Sequence, residues 1–222
     1  MQIAVVDLGI GNLRSVKQAL SHVAPDADVI VTDKQADLLS ADKIVLPGQG
    51  AVGSWFQALH DRELRPVIQK AIEQKPMLGI CVGMQALFSF CEEDGGIDGL
   101  GVFDGEVRHF RNFHPPLDEQ QQKMKIPQMG WNRVQQRSAS DQSHPLWQGI
   151  EDHAYFYFVH SYCANSGSAD TDEAVYGLAD YGHEFIAAVG RGSLFAVQFH
   201  PEKSHQDGLQ LLKNFARWNG ES

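Results

Sequence analysis

The apolar positions in the first half of the chain follow two spacings, one typical of buried strands and one typical of helices. Short continuous apolar runs lie at residues 3–6, 29–31, 43–46 and 77–80. Between them, apolar side chains recur every three or four positions at residues 12–23 and 65–74, which predicts amphipathic helices. Apolar strands separated by helices indicate a parallel sheet that is covered on both faces.

Strand patterns dominate the second half of the chain. Candidate strands lie at residues 102–110, 130–134, 154–159, 175–179, 185–189 and 194–199. A last helix is predicted at residues 205–218, and the proline- and glutamine-containing stretch 112–125 is a predicted exposed loop. The sequence therefore predicts an α/β fold with an open mixed, mostly parallel sheet, helices on both faces and antiparallel additions in the second half. Without a repeat or linker, we expect one domain over residues 1–222.

Composition narrows the classes of function. The formal net charge of −10 argues against a nucleic-acid partner, because phosphate neutralisation needs clustered Lys and Arg. The cysteines Cys81, Cys91 and Cys163 have neither metal-ligand spacing nor a disulfide framework. The chain starts directly in a strand, and no apolar run approaches the roughly 20 residues of a membrane span. We therefore expect a cytoplasmic protein with no metal, no cofactor and no membrane partner.

A cysteine lies between two glycines at the end of a predicted strand. Residues 79–83 have the sequence Gly-Ile-Cys-Val-Gly. A helix is predicted to begin directly after the cysteine, within residues 83–90. This strand, turn and helix order exposes a nucleophile above the carboxyl end of a sheet, and the glycines supply the small volume that a strained turn needs. Cys81 is therefore a candidate nucleophile, although a lone cysteine is more often a small buried hydrophobe.

A candidate base and its orienting carboxylate follow the last predicted strand. His200 closes the apolar run 194–199, and Glu202 lies two residues further on. A histidine held by a carboxylate activates a cysteine thiol. Taken alone, this pair equally describes a surface salt bridge, and His160, at the end of another strand, is a competing base. Spacing alone leaves both histidines open.

A glycine-rich turn follows the strand at residues 43–46. The Pro-Gly-Gln-Gly segment 47–50 lacks the Lys-Ser/Thr pair of a P-loop and the spacing of a dinucleotide-binding fingerprint. Beside a cysteine nucleophile, such a turn supplies a backbone N–H to the oxyanion of a tetrahedral intermediate. A plain strand-to-helix turn is the alternative interpretation.

Taken together, these motifs resemble the class I (triad) glutamine amidotransferases. The general likeness rests on residues 47–50, 79–85 and 200–202. Within this family, the chain is most similar to the glutaminase subunits of imidazole glycerol phosphate synthase, which act in histidine biosynthesis. That closer likeness rests on residues 7–16, 127–132, 158–162 and 202–204. The resemblance spans nearly the whole chain.

The resemblance implies a chemistry and a set of site residues. Cys81 attacks the side-chain amide of glutamine, His200, oriented by Glu202, delivers a proton so that ammonia leaves, and water then hydrolyses the glutamyl thioester. The implied substrate-binding residues are Gly48, Gln49, Gly50, Val82, Gln85, Ser161 and Tyr162. The N–H of Val82 and a donor from residues 48–50 form the oxyanion hole, and the other residues hold the α-amino and α-carboxylate groups. His160 then becomes a neighbour of the substrate.

The resemblance also implies a partner protein. Such glutaminases form a heterodimer with a cyclase subunit, a (βα)8 barrel, which uses the ammonia to make imidazole glycerol phosphate and AICAR. The implied interface residues are Asn12, Trp131, Tyr157 and Lys203. The nucleotide site would lie on the partner, which agrees with the missing phosphate loop in this chain.

Other functions fit parts of the pattern. The chain is alternatively the glutaminase subunit of another amidotransferase, or a stand-alone cysteine hydrolase or peptidase that needs no partner. A non-catalytic, flavodoxin-like module is a third reading, against which the complete set of Cys81, His200 and Glu202 argues. Ammonia release from glutamine, with and without a cyclase, separates these alternatives.

Overall fold

The structure, a computed structural model, describes residues 1–113, 123–138 and 143–221. The strands are β1 (Gln2–Val6), β2 (Asp28–Thr32), β3 (Lys43–Gly48), β4 (Met77–Cys81), β5 (Phe88–Cys91), β6 (Ile97–Asp98), β7 (Phe103–His109), β8 (Gln128–Arg133), β9 (Gln135–Gln136), β10 (Tyr155–His160), β11 (Tyr162–Ser166), β12 (Val175–Asp180), β13 (Glu184–Arg191) and β14 (Leu194–Val197). The α-helices are α1 (Leu13–Val23), α2 (Gln35–Ser40), α3 (Val52–Asp61), α4 (Arg65–Gln74), α5 (Val82–Gln85), α6 (Ala169–Glu173) and α7 (His205–Arg217).

A large mixed sheet carries the fold. Its strand order is β2-β1-β3-β4-β14-β13-β11-β7-β5-β6, with β12 and β9 added beside β13. The strands from β2 to β14 are parallel, and the pairs that join β14, β13, β11 and β7 are antiparallel. This arrangement confirms the predicted α/β class, because the first four apolar strands pair in parallel and the second half adds antiparallel pairs. Strand β14, predicted among the antiparallel additions, instead pairs in parallel with β4 and antiparallel with β13.

Helices cover both faces of the parallel strands. The chain passes from β1 through α1 to β2 on one side, and from β2 through α2 to β3 in the opposite direction. Because parallel crossovers are right-handed, α1 and α2 lie on opposite faces of the sheet. Helix α7 packs on α1, and α4 packs beside α2. In the described part of the chain, no helix combines the length and the apolar character that a membrane span requires.

One local prediction from the sequence differs from the structure, and one helix was missed. The helix predicted to begin near Gly83 ends at Gln85, and the chain then forms β5, whose Phe88 and Cys91 are buried. Pairing of β5 with β7 satisfies backbone groups there that a longer helix would have bonded internally. Helix α3 was not predicted. The predicted loop at residues 112–125 lies for the most part outside the described residues.

The parallel strands place the candidate site residues at one edge of the sheet. Strand β3 ends at Gly48 and β4 ends at Cys81, and these two residues are paired across the strands. His200 lies three residues beyond the end of β14, which pairs with β4. In open α/β sheets, ligands bind outside the carboxyl ends of the strands.

Candidate active site

A strained turn at the end of β4 holds Cys81. Its φ of 55° and ψ of −111° lie in a region that a residue with a side chain rarely adopts. The next residue, Val82, begins the short helix α5, so the chain reverses sharply at the cysteine. The side chain lines a cavity of about 400 Å³ although Cys81 is only 4% exposed. This is the geometry of a nucleophile elbow.

Beside the cysteine, His200 and Glu202 form a buried pair. Nδ1 of His200 lies 2.9 Å from Oε1 of Glu202, and the two side chains are 3% and 1% exposed. Burial disfavours the charged imidazolium, but the charge of Cys81 and its hydrogen bond to His200 outweigh this, and Glu202 adds to them. Together they raise the pKa of His200 to about 10. The arrangement therefore favours the protonated, imidazolium form of His200.

The competing histidine is placed differently. Nδ1 of His160 lies 2.7 Å from the carbonyl oxygen of Tyr162, and Nε2 lies 2.9 Å from Oε1 of Gln128. Burial lowers the pKa of His160 to about 4. Because both ring nitrogens are engaged, His160 lines the cavity without a free position for proton transfer, and His200 is the better candidate base.

The cavity brings together most of the residues that the sequence singled out. It is lined by Gln49, Gly50, Cys81, Val82, Gln85, Glu93, Pro127, Val159, His160, Ser161, Tyr162, His200 and Lys203. Gly48 lies behind it, at the end of β3, with Asn12, Gln49 and Glu202 around a smaller cavity. A volume of about 400 Å³ suits a small-molecule ligand.

The glycine turn is fixed to its surroundings at both ends. The indole N–H of Trp55 donates to the carbonyl oxygen of Pro47 at 3.2 Å, and the N–H of Val52 donates to Oε2 of Glu93 at 2.8 Å. Gly50 has a φ of +81° and no atom within 4 Å of the position that a Cβ would occupy. Space is therefore open beside Gly50, between the two anchored points.

Glu93 is a site residue that the sequence analysis missed. It is the acidic side chain lining the cavity within the described residues, and burial raises its pKa. The available signal was the Glu-Glu-Asp run at residues 92–94, directly after a buried segment. Such a run is usually a solvated loop, so the pattern alone did not mark it as part of a site.

A second missed residue, Gln198, lies behind the nucleophile. It is fully buried, and its Nε2 is 3.7 Å from Sγ of Cys81. Its Oε1 accepts a hydrogen bond of 2.9 Å from Nε2 of Gln85, which also donates to the carbonyl oxygen of Tyr162 at 3.0 Å. A chain of amides thus joins the cysteine to the far end of the cavity.

The residues predicted at a partner interface lie at the same end of the molecule. The ring of Trp131 is 45% exposed, stacks on His205 with centroids 4.9 Å apart, and meets Tyr157 edge-on at 5.8 Å. Nζ of Lys203 lies 6.0 Å from the centroid of the Tyr157 ring. Asn12 is exposed and caps α1 through its Oδ1, which accepts from the N–H of Ser15. We call Trp131, Tyr157, Lys203 and His205 the aromatic face.

Hydrogen bonds through the backbone and the Ser204 hydroxyl join the aromatic face to His200. The N–H of His200 donates to the carbonyl oxygen of Tyr157 at 2.9 Å. The N–H of Tyr157 donates to Oγ of Ser204, whose hydroxyl donates to the carbonyl oxygen of His200 at 2.6 Å. These three bonds close a ring between β10 and the segment that carries His200.

The described residues hold no cluster of three or more His, Cys, Asp or Glu side chains suited to a metal ion. Free thiols remain at Cys91 and Cys163, and burial raises their pKa to about 11 and about 12 respectively. Neither thiol is suited to act as a thiolate at neutral pH. The nucleophilic chemistry therefore concentrates on Cys81.

Comparisons with known proteins point to one family. The family model described as glutamine amidotransferase class-I matches residues 4–218. A protein of Dechloromonas aromatica, named imidazole glycerol phosphate synthase subunit HisH, is 49% identical over 97% of this chain and 96% of its own length. The protein of the same name from Acinetobacter baylyi is 46% identical, with 98% of each chain covered.

Solved structures share the fold. One described as a glutamine amidotransferase superposes with a TM-score of 0.69 at 16% identity, covering 96% of this chain and 98% of its own. The glutaminase domain of Trypanosoma brucei CTPS, solved with bound acivicin, gives a TM-score of 0.59 at 16% identity, with 99% and 95% covered. At this identity the likeness concerns the fold alone.

Proposed function

The chain belongs to the class-I glutamine amidotransferases, and from this premise we propose that it releases ammonia from glutamine by means of Cys81, His200 and Glu202. It is the glutaminase subunit of an imidazole glycerol phosphate synthase and acts in histidine biosynthesis. The observation that carries the assigned chemistry is the buried His200, held between the cysteine of a strained elbow and a carboxylate. We assign a single amidotransferase domain to residues 1–222.

In the proposed reaction, the thiolate of Cys81 attacks the side-chain carbonyl carbon of glutamine. The developing oxyanion receives a hydrogen bond from the N–H of Val82, next to the nucleophile, and a second one from the turn at residues 48–50. His200 gives its proton to the amide nitrogen, the C–N bond breaks and ammonia leaves. A water molecule then gives a proton to His200 and attacks the thioester, which releases glutamate and restores the thiolate.

The amino-acid end of glutamine fits the far side of the cavity. The carbonyl oxygens of Ser161 and Tyr162 are already bonded within the protein, to Phe110 and to the side chains of Gln85 and His160. The two residues therefore offer N–H groups, which suit the α-carboxylate. The carboxylate of Glu93 suits the α-ammonium group, and the side-chain oxygen of Gln85 is a second acceptor for it.

The subunit name of the relatives implies a complex with a cyclase subunit, and we propose that the ammonia is passed to it. We propose that this partner is a (βα)8 barrel that forms a heterodimer by docking on the aromatic face and on Asn12. The exposure of Trp131 supports this surface, because aromatic side chains anchor protein interfaces. The cytoplasmic location predicted from the sequence stays a prediction.

Ammonia release tests the proposal. Purified Cys81→Ala should bind the cyclase and show no glutamine hydrolysis, whereas the matched variant Cys163→Ala, at another buried thiol, should keep it. The unmodified chain should release ammonia much faster with the cyclase than alone. Hydrolysis by Cys81→Ala would exclude the assigned nucleophile, and equal rates with and without cyclase would favour a stand-alone hydrolase.

A further inference from the structure

An amide side chain interrupts the apolar strand end that leads to His200. Gln198 lies between the buried residues Val197 and Phe199, and its own side chain is fully buried. A buried amide costs free energy unless its polar atoms are hydrogen-bonded. Its partners are Gln85 and the sulfur of Cys81, which are both part of the site.

The order of the hydrogen bonds fixes the direction in which Gln198 points. A backbone carbonyl oxygen only accepts, so the side-chain nitrogen of Gln85 must face the oxygen of Tyr162. The same nitrogen lies 2.9 Å from Gln198, which must present its oxygen there. The side-chain N–H of Gln198 is consequently left facing the sulfur of Cys81, 3.7 Å away.

We propose that Gln198 is a positioning residue that holds the Cys81 thiolate toward the substrate and links it to Gln85 at the amino-acid end of the cavity. This inference rests on the proposed function of the site. An N–H donor stabilises a charged sulfur more than a neutral thiol, since hydrogen bonds to charged groups are the stronger ones. Binding of a ligand to Gln85 polarises the same amide chain and is thereby transmitted to the nucleophile.

Alkylation of Cys81 by iodoacetamide tests this role in the free chain, without glutamine or partner. The test variant is Gln198→Met, which has a similar shape and no donor. Its alkylation rate, followed by mass spectrometry of the Cys81 peptide, should reach half its maximum about one pH unit higher than in the unmodified chain. The matched control is Gln136→Met. The side-chain amide of Gln136 is likewise hydrogen-bonded within the protein, to two backbone carbonyls, but it lies at β9, and its variant should keep the original profile.

Steady-state rates with the cyclase complete the test. In Gln198→Met, kcat should fall roughly ten- to hundred-fold, with a smaller change in KM. Gln198→Leu also removes the donor to sulfur and adds no charge beside it, so it should shift the alkylation profile in the same direction. It carries the test alone if Gln198→Met does not fold.

An unchanged alkylation profile in a folded variant would overturn the role of Gln198, even if the variant were less stable. Failure of the proposed function has a different signature, namely glutamine hydrolysis by Cys81→Ala. The two outcomes are independent, because the alkylation profile requires no turnover of glutamine.

Discussion

Gly83 lies directly against the backbone of Leu46, so that a Cβ added at position 83 would be 1.9 Å from the carbonyl oxygen of Leu46. This contact presses α5 onto the end of β3 and sets the angle of the turn that carries Cys81. No side chain longer than a hydrogen atom fits at this position while the elbow keeps its shape.

Gly83→Ala should therefore disrupt the elbow. We expect an unfolding free energy lower by at least about 2 kcal/mol, because overpacking against rigid backbone forces the elements apart, and a loss of glutaminase activity. Urea unfolding and ammonia release measure the two effects. Gly192→Ala is the control, since that glycine has open space around it and a φ of +56°. It should cost only about 1 kcal/mol and keep the activity.

Glu93→Gln separates substrate binding from structure. The amide keeps an oxygen that accepts from the N–H of Val52, so the start of α3 should remain in place. The substitution removes the carboxylate charge that we propose binds the α-ammonium group of glutamine. We expect KM for glutamine to rise about tenfold or more with a smaller change in kcat. Glu106→Gln, at an exposed ion pair with Arg108, should leave KM unchanged; an unchanged KM in Glu93→Gln would contradict the assignment.

Trp131→Ala tests the docking face. An exposed aromatic ring at the centre of an interface commonly contributes 2 kcal/mol or more, so the Kd for the cyclase should rise at least about tenfold. The glutaminase rate at saturating cyclase should change much less. Leu39 offers a matched control, because it is also 45% exposed and lies on α2. Isothermal titration calorimetry of Trp131→Ala and Leu39→Ala with the cyclase compares the two Kd values. Equal Kd values would show that Trp131 does not contribute to the interface.

His144 should make the fold sensitive to acid. Its Nδ1 accepts from the N–H of Leu146, and its ring packs against Tyr176, Phe195 and Trp218. Burial lowers the pKa of His144 to about 4. Because its pKa in the unfolded chain is about 6.5, the unfolded state binds more protons between these values. Stability should therefore fall as the pH drops from about 6.5 toward 4.

Urea unfolding at pH 7 and pH 5 measures this loss, which we expect to be on the order of 2 kcal/mol for His144. His160 has a pKa lowered in the same direction and adds to the slope. A His144→Gln variant should be less stable at pH 7 but lose less on acidification. The same pH slope in that variant would show that the loss arises elsewhere.

Local patterns were sufficient to predict the part of the site that depends on strand ends. Cys81 and His200 follow apolar runs, and parallel strands bring such ends to one edge whatever the details of packing. Gln198 and Glu93 carry no such mark, because their roles depend on partners 113 and 41 positions away along the chain. Neither an isolated glutamine in a strand nor an acidic run in a loop identifies a site residue until the folded structure shows its partners.

The same limit applies to β8 and β10. Both were predicted as strands, but nothing in their alternation indicated that they pair with each other, apart from the main sheet. That separate pairing leaves Met129, Trp131 and Tyr155 exposed. Which strands pair with each other depends on residues far apart along the chain. The aromatic face could therefore be predicted from the family resemblance, but not from the hydrophobic periodicity.

The ring of hydrogen bonds between Tyr157, Ser204 and His200 ties the backbone of His200 to the aromatic face, whereas its imidazole ring is held by Glu202. A partner protein that moves Tyr157 would also move the backbone of His200, because the two are hydrogen-bonded. In the heterodimer that we propose, docking on Tyr157 would therefore act on the position of His200 through this ring of hydrogen bonds.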